Sequence, residues 1–254
     1  INLSFYPEGG HLIIGKPCRI AFKATDESGF GTSVTGKVND TDITFSTIHN
    51  GMGSFTFTPT AEKNSVTVVT TDGTERRFNL PDAELTGVSL SVTNHNSINL
   101  AIECTEEFTE ETLGVTLTCR GEIMDFFTID INNNTITKQI ATDGIPEGVC
   151  RVTVFDREGR IYASRFIYNY SNIAAPQISI IPDKAKYNGF DPMKLSILLL
   201  DGNGKPFKDR FCLSVRDQRC FSNIYTDDIR TSLLLSSDLK GLVENPEYYF
   251  ESRD

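Results

Sequence analysis

Cys18-Arg-Ile-Ala-Phe-Lys-Ala24 puts Cys18, Ile20, Phe22 and Ala24 on one side of an extended chain, with Arg19 and Lys23 on the other. Gly53-Ser-Phe-Thr-Phe-Thr-Pro59 repeats the alternation with Phe55 and Phe57 against Ser54, Thr56 and Thr58. A period of two with one apolar face is the signature of a half-buried antiparallel strand, not of a helix. Turn formers punctuate these runs at Glu8-Gly-Gly10, Glu27-Ser-Gly29, Asn50-Gly51 and Asp72-Gly73.

Roughly seven such short strands before Pro81 read as one immunoglobulin-like sandwich. From about Glu84 the pattern recurs over Gly87–Thr93, Ser97–Cys104, Gly114–Cys119, Phe126–Ile131, Thr135–Ile140, Val149–Phe155 and Ile161–Tyr168. Asn132-Asn-Asn134 and Glu158-Gly159 supply its turns, and Asn172–Pro176 is a linker. A third unit opens with Gln177–Pro182 and Met193–Leu200, turns at Asp201-Gly-Asn-Gly204 and returns as a strand over Arg210–Arg216. The expected organisation is all-β: tandem sandwiches over 1–83 and 84–174, then a partial unit over 175–254 with a short C-terminal helix. Asp228 caps that helix, which runs through Ile229, Leu233, Leu234 and Leu239 to Gly241. Three strands do not make an autonomous sandwich. The helix, or a strand-like Tyr248-Tyr-Phe250 tail, is therefore expected to cover the third unit or bridge to the second, with dimerisation through an open edge as the alternative.

Composition narrows the function classes. With 39% hydrophobic residues, 17 Phe and 8 Tyr among 254 residues, the chain can build real cores. Its 34 acidic against 24 basic residues argue against nucleic acid or an anionic lipid surface as the main partner. No apolar run approaches the ~20 residues of a membrane helix; Leu195–Leu200 is the longest local candidate. Ile1-Asn-Leu-Ser-Phe5 lacks both an initiating Met and a signal peptide's basic start, so the chain is expected to be a fragment of a longer protein.

The third unit resembles macroglobulin-type domains. Asp183-Lys-Ala-Lys-Tyr187, Asp201-Gly-Asn-Gly-Lys-Pro206 and Phe211-Cys-Leu-Ser-Val-Arg-Asp217 resemble the opening strands of that family, although Asn188–Pro192 replaces its usual Pro-Gly-Glu turn. Leu233-Leu-Leu-Ser-Ser-Asp-Leu-Lys-Gly241 and Glu244–Phe250 resemble the long N-terminal extensions of Gram-negative envelope proteins, some of which continue into TonB-dependent outer-membrane receptors. Phe5–Gly10, Phe22–Gly29 and His49–Pro59 are similar to the family's first repeat in this region, and Ile145–Asp156 with Ala163–Phe166 to the next. The resemblance implies a non-enzymatic spacer and interaction module of a cell-envelope protein, on the periplasmic side of the outer membrane or at the cell surface. Its partners would be other proteins or the rest of the parent chain. A protease-inhibiting macroglobulin module and a glycan- or peptide-binding sandwich are the alternatives.

No residue set carries catalysis. The Gly-Cys-Gly-Glu-Gln thioester of protease-trapping macroglobulins is absent from these 254 residues, as are a nucleophile elbow, a phosphate loop and a dinucleotide fingerprint. His11, His49 and His95 are dispersed and read as structural or surface residues. Glu106, Glu107, Glu110 and Glu111 read as a solvated, partly helical connection, with Asp227 and Asp228 at a helix start. None has the alternating spacing of a calcium loop, and no cofactor or metal is expected. Cys18, Cys104, Cys119, Cys150, Cys212 and Cys220 show no metal spacing and read mostly as small buried hydrophobes. A disulfide among Cys104, Cys119 and Cys150 stays open, its pairing unfixed. The absence of Trp weakens a sugar-binding platform, and Tyr248-Tyr249-Phe250 are expected to pack on a neighbour.

Overall fold

The computed structural model describes residues 1–94, 97–131, 135–170, 176–215 and 228–251. The chain is all-β with short helices near its C-terminus, built from immunoglobulin/fibronectin-like sandwiches. The described residues fall into two compact units: those of Ile1–Asn169 together with those of Asp227–Asp254, and those of Tyr170–Thr226.

The larger unit begins with β1 (Asn2–Pro7), β2 (Leu12–Ile13), β3 (Cys18–Thr25), β4 (Val34–Val38), β5 (Thr44–Ser46), β6 (Met52–Phe57), β7 (Ser65–Thr70), β8 (Glu75–Asn79) and β9 (Ala83–Glu84). A three-stranded sheet β1-β3-β6 faces a four-stranded sheet β5-β4-β7-β8. The alternation of Cys18–Ala24 is realised: Cys18, Ile20, Phe22 and Ala24 are buried, and Phe22, Phe45 and Phe55 form the aromatic centre, with Phe45 stacked on Phe55 at 4.5 Å. Gly36 lies opposite Phe45 in the ladder, where a Cβ would come within 2.3 Å of the Phe45 ring. Asn50 and Gly51 take the positive φ values (43° and 75°) that a two-residue hairpin turn requires, closed by Met52 N–H donating to His49 O at 2.7 Å.

The same plan recurs with β10 (Val88–Asn94), β11 (Ile98–Cys104), β12 (Thr112–Cys119), β13 (Glu122–Asp130), β14 (Thr135–Ile140), β15 (Gly148–Phe155) and β16 (Ile161–Asn169). Here β10-β11-β14 faces β13-β12-β15-β16, the same strand order as in the first sandwich. Its core joins Val88, Leu90, Ile98, Leu100, Leu113, Val115, Val152 and Val154 with Cys104, Cys119 and Cys150. The Asn132–Asn134 turn lies outside the described residues, as does the linker before Pro176.

The smaller unit holds one antiparallel ribbon, β17 (Gln177–Pro182) with β18 (Leu195–Leu200). The strand expected over Arg210–Arg216 does not form: residues 211–215 join no ladder, and Arg216 lies outside the described residues. Phe211, Leu213 and Val215 keep their alternation but are exposed and pair with no neighbouring strand. The turn after β18 reproduces one in the first sandwich. Asp201 Oδ1 accepts from the N–H groups of Asn203 and Lys205, both at 2.9 Å, and Asp26 Oδ1 accepts from Ser28 (2.8 Å) and Phe30 (3.0 Å). Asp201-Gly-Asn-Gly204 is thus a tight turn, and the ribbon opens as the first repeat does.

Near the C-terminus, α1 (Ile229–Leu234) is followed by a 3₁₀ turn, Ser236–Asp238, and by α2 (Tyr248–Glu251). The helix expected to run on to Leu239 stops at Leu234. Tyr248–Phe250 is helical, not strand-like, because Asn245-Pro246-Glu247 starts a turn whose carbonyls accept from Tyr248, Tyr249 and Phe250 N–H at 3.0, 3.3 and 2.8 Å.

Candidate functional site

The two sandwiches of the larger unit meet at a junction built around the turn after β1. Gly9 and Gly10 adopt φ of 85° and 106°, the left-handed region that glycine enters without strain, and so turn the chain sharply after β1. That turn presents Glu8 to the second sandwich. Glu8 Oε1 accepts from Val92 N–H at 2.7 Å and pairs with Arg165 Nη1, while the same nitrogen donates to Val92 O at 2.7 Å. The pair is desolvated: the Glu8 and Arg165 side chains are 6% and 22% exposed. Burial lowers the Arg165 pKa from its ordinary value, and the adjacent carboxylate is what makes a buried guanidinium tolerable. Gly9 O also accepts from Ser164 N–H at 3.1 Å.

Further links stitch the junction. Leu12–Ile13 pair in parallel with Ala83–Glu84, Ile14 N–H donates to Glu84 O at 3.0 Å, and Lys16 meets Glu103 at 3.4 Å. Gly87 sits so close to Ile13 that a Cβ there would come within 2.8 Å of its Cδ1. A cleft of about 360 Å³ opens beside these contacts, lined by His11, Glu84, Phe108, Arg160 and Tyr162 among others. His11 Nδ1 meets Glu84 at 3.0 Å and Tyr162 donates to Asp156 at 3.2 Å, a polar lining with no nucleophile–base pair.

The C-terminal tail clamps both sandwiches. In α1, Asp228 Oδ1 accepts from Thr231 N–H and Thr231 Oγ1 accepts from Asp228 N–H, both at 2.8 Å, a reciprocal cap. The backbone bond from Thr231 holds the Asp228 carboxyl below its usual range. Arg230 lies over the Phe250 ring at 4.8 Å and 4.0 Å from Glu147. Tyr248 stacks on His49 (3.6 Å, 2° between planes), Tyr249 Oη approaches Met52 Sδ at 4.0 Å, and Glu244 pairs with Lys23 at 2.8 Å. Phe250 meets Tyr168 edge-on at 5.8 Å. The aromatic tail thus packs on a neighbour, touching the Asn50-Gly51 hairpin of the first sandwich and β16 of the second.

The remaining sequence candidates stay apart. His11 lines the cleft, His49 lies under the tail, and His95 lies outside the described residues. Glu106 and Glu107 occupy an exposed turn and Glu110–Glu111 irregular chain, so the partly helical connection does not form. Among the described residues no group of three or more metal-type side chains converges, and no helix is long and apolar enough to cross a membrane. Cys18, Cys104, Cys119 and Cys150 are buried free cysteines and Cys212 is an exposed one, so none of Cys104, Cys119 and Cys150 is joined in a disulfide here; Asp227 and Cys220 lie outside the described residues. Sequence reading missed the Glu8–Arg165 pair. Its one signal was the phase of Arg165, which falls between Ala163 and Ile167 on the inward face of β16.

No protein-family model and no curated protein matches the sequence. Similar solved structures include invasin, a bacterial integrin-binding protein, at 17% identity, 81% coverage of this chain and TM-score 0.28. Others are domains 4–9 of surface layer protein SbsC (12%, 81%, 0.32) and Salmonella alpha-2-macroglobulin reacted with methylamine (13%, 78%, 0.28). The chain spans 48%, 38% and 18% of these three. Likeness at that level carries no argument about family, partner or activity.

Proposed function

We propose that the chain is a non-enzymatic spacer and interaction module of a larger exported envelope protein, made of macroglobulin-like repeats. The observation that carries this is the junction. A buried charge pair, a parallel two-residue ladder and a tail anchored on both sandwiches turn two repeats into one stiff block. Such an arrangement holds other parts of a protein at a fixed distance and orientation; it does not surround a reacting atom. The recurring strand order, the shared Asp26 and Asp201 turns and the macroglobulin-like stretches support a tandem-repeat parent. In this reading the repeats follow the division 1–83, 84–174 and 175–254, with the tail of the third folded back on the first two.

The parent is proposed to reside on the periplasmic side of the outer membrane, linked to a TonB-dependent receptor, with protein partners or the rest of that chain as its contacts. Protease treatment of intact cells tests the location: cleavage of this region without permeabilising the outer membrane would overturn the periplasmic placement. Comparing growth on the receptor's ligand after deleting the codons for these 254 residues, and after replacing them with an unrelated rigid sandwich pair, tests the spacer role. Rescue by the unrelated pair is expected; no rescue would assign the region a specific binding surface instead.

A further inference from the structure

The ladder between β12 and β15 sets Cys119 directly opposite Cys150. Residues directly opposite in an antiparallel pair have Cα atoms ~4.5 or ~5.5 Å apart, depending on the kind of pair, and project their side chains to the same face. Both spacings fall inside the ~4.4–6.8 Å window that a disulfide spans without moving the backbone. Both thiols point into the core, at 2% and 1% exposure. Cys104, in the same core, belongs to the opposite sheet and faces Val88 across its own ladder; Cys18 belongs to the other sandwich.

We propose that Cys119 and Cys150 are a cross-strand disulfide pair, closed by a disulfide oxidant while the chain folds. One cysteine thiolate attacks a sulfur of the oxidant, forming a mixed disulfide and releasing one thiolate. The second cysteine thiolate then attacks the first cysteine's sulfur and releases the other. Two S–H protons pass to the two released thiolates; the protein pair is oxidised and the oxidant reduced to two thiols.

The timing follows from the surroundings. In the finished fold, burial, the neighbouring Cys119 and the Asp238 carboxylate push the Cys150 thiol up to about 12, against a smaller opposing pull from Arg120. Both thiols are shut away from solvent, at 2% and 1% exposure, and burial disfavours the thiolate that exchange requires, so exchange in the folded state is nearly blocked. The tail lies against the start of β15, where a Cβ on Gly148 would lie 3.3 Å from Leu234 O. The bond therefore forms before the sandwich closes, or not at all.

Geometry alone carries this pairing, which is independent of the proposed export; only its persistence in the cell needs an oxidising compartment. The test is refolding of the full chain from denaturant in a mixture of reduced and oxidised glutathione, followed by non-reducing peptide mapping. The expected result is a 119–150 cross-link and an intact mass lower by about 2 Da. Closing a loop of about 30 residues should raise the melting temperature by about 10 °C over the chain refolded with reductant. Cys104→Ala should keep the link. In the folded, reduced chain, iodoacetamide should label Cys212 rapidly and leave Cys150 intact. No link after oxidative refolding, or one joining Cys119 or Cys150 to Cys104 or Cys18, would overturn the pairing. Labelling of Cys150 as fast as Cys212 would overturn the account of its timing.

Discussion

Replacing Arg165 by Met strands the Glu8 carboxylate in a site where its side chain is 6% exposed, with Val92 N–H as the remaining hydrogen bond. Breaking a buried ion pair from one side costs about 3–5 kcal/mol, most of it the unpaired charge. At about 2–4 °C per kcal/mol for a unit of this size, the melting temperature should fall by roughly 10 °C. The double variant Glu8→Gln/Arg165→Met separates charge from packing. Gln keeps a carbonyl oxygen to accept from Val92 N–H but leaves no stranded charge, so it should recover more than half of the loss. In the single variant, burial without a counter-charge favours the neutral carboxyl, so lowering the pH should restore stability; the double variant should show no such recovery. Calorimetry of the full chain at two pH values reads all four quantities. A single variant within 2 °C of the parent, or a double variant as unstable as the single, would refute the reasoning.

Gly51→Ala places a Cβ within 2.1 Å of Ala24 O at a φ of 75°, so it should destabilise the first sandwich by about 2–3 kcal/mol in urea unfolding; a change below 0.5 kcal/mol would contradict the hairpin geometry. Tyr248→Ala with Phe250→Ala removes the rings seated on His49 and Tyr168, and should expose the segment after Asp228 to limited proteolysis while both sandwiches stay folded. The Asp228 and Asp72 carboxyls lie below their ordinary range, held by bonds from Thr231 in the first case and from Thr70 and Thr74 in the second, with Asp72 at about 2. Depressed carboxylates stabilise the fold above the unfolded-state value of ~4 and lose that contribution as pH falls. Thermal stability should therefore decline between about pH 4 and pH 2, and Asp228→Asn should flatten part of that decline.

The strands of β3, β6, β11 and β14 were legible because one-sided burial imposes a period of two on the sequence; β17 is exposed along its length and is held by its ladder with β18. Asn50-Gly51 and Asp201-Gly-Asn-Gly204 were legible because few residues take those turn conformations. Arg210–Arg216 misled for a physical reason: Phe211, Leu213 and Val215 carry the alternation, but a strand also needs a ladder partner, which residues 211–215 lack. Tyr248–Phe250 misled in the opposite direction, since aromatic residues favour strands while the preceding Asn245-Pro246 starts a helical turn. The Glu8–Arg165 pair joins positions far apart in the chain, and no local pattern pairs them. Only the inward phase of Arg165 in β16 hinted that a charge lay buried.

The central claim is that the two sandwiches behave as one rigid block. Residual dipolar couplings of the full chain in a weakly aligning medium measure this directly, because each sandwich reports its own alignment. One tensor, equal in magnitude and orientation for residues 2–79 and 88–169, is the predicted result. Two tensors of different magnitude would mean that the repeats reorient independently, and would contradict the rigid junction on which the proposed function rests.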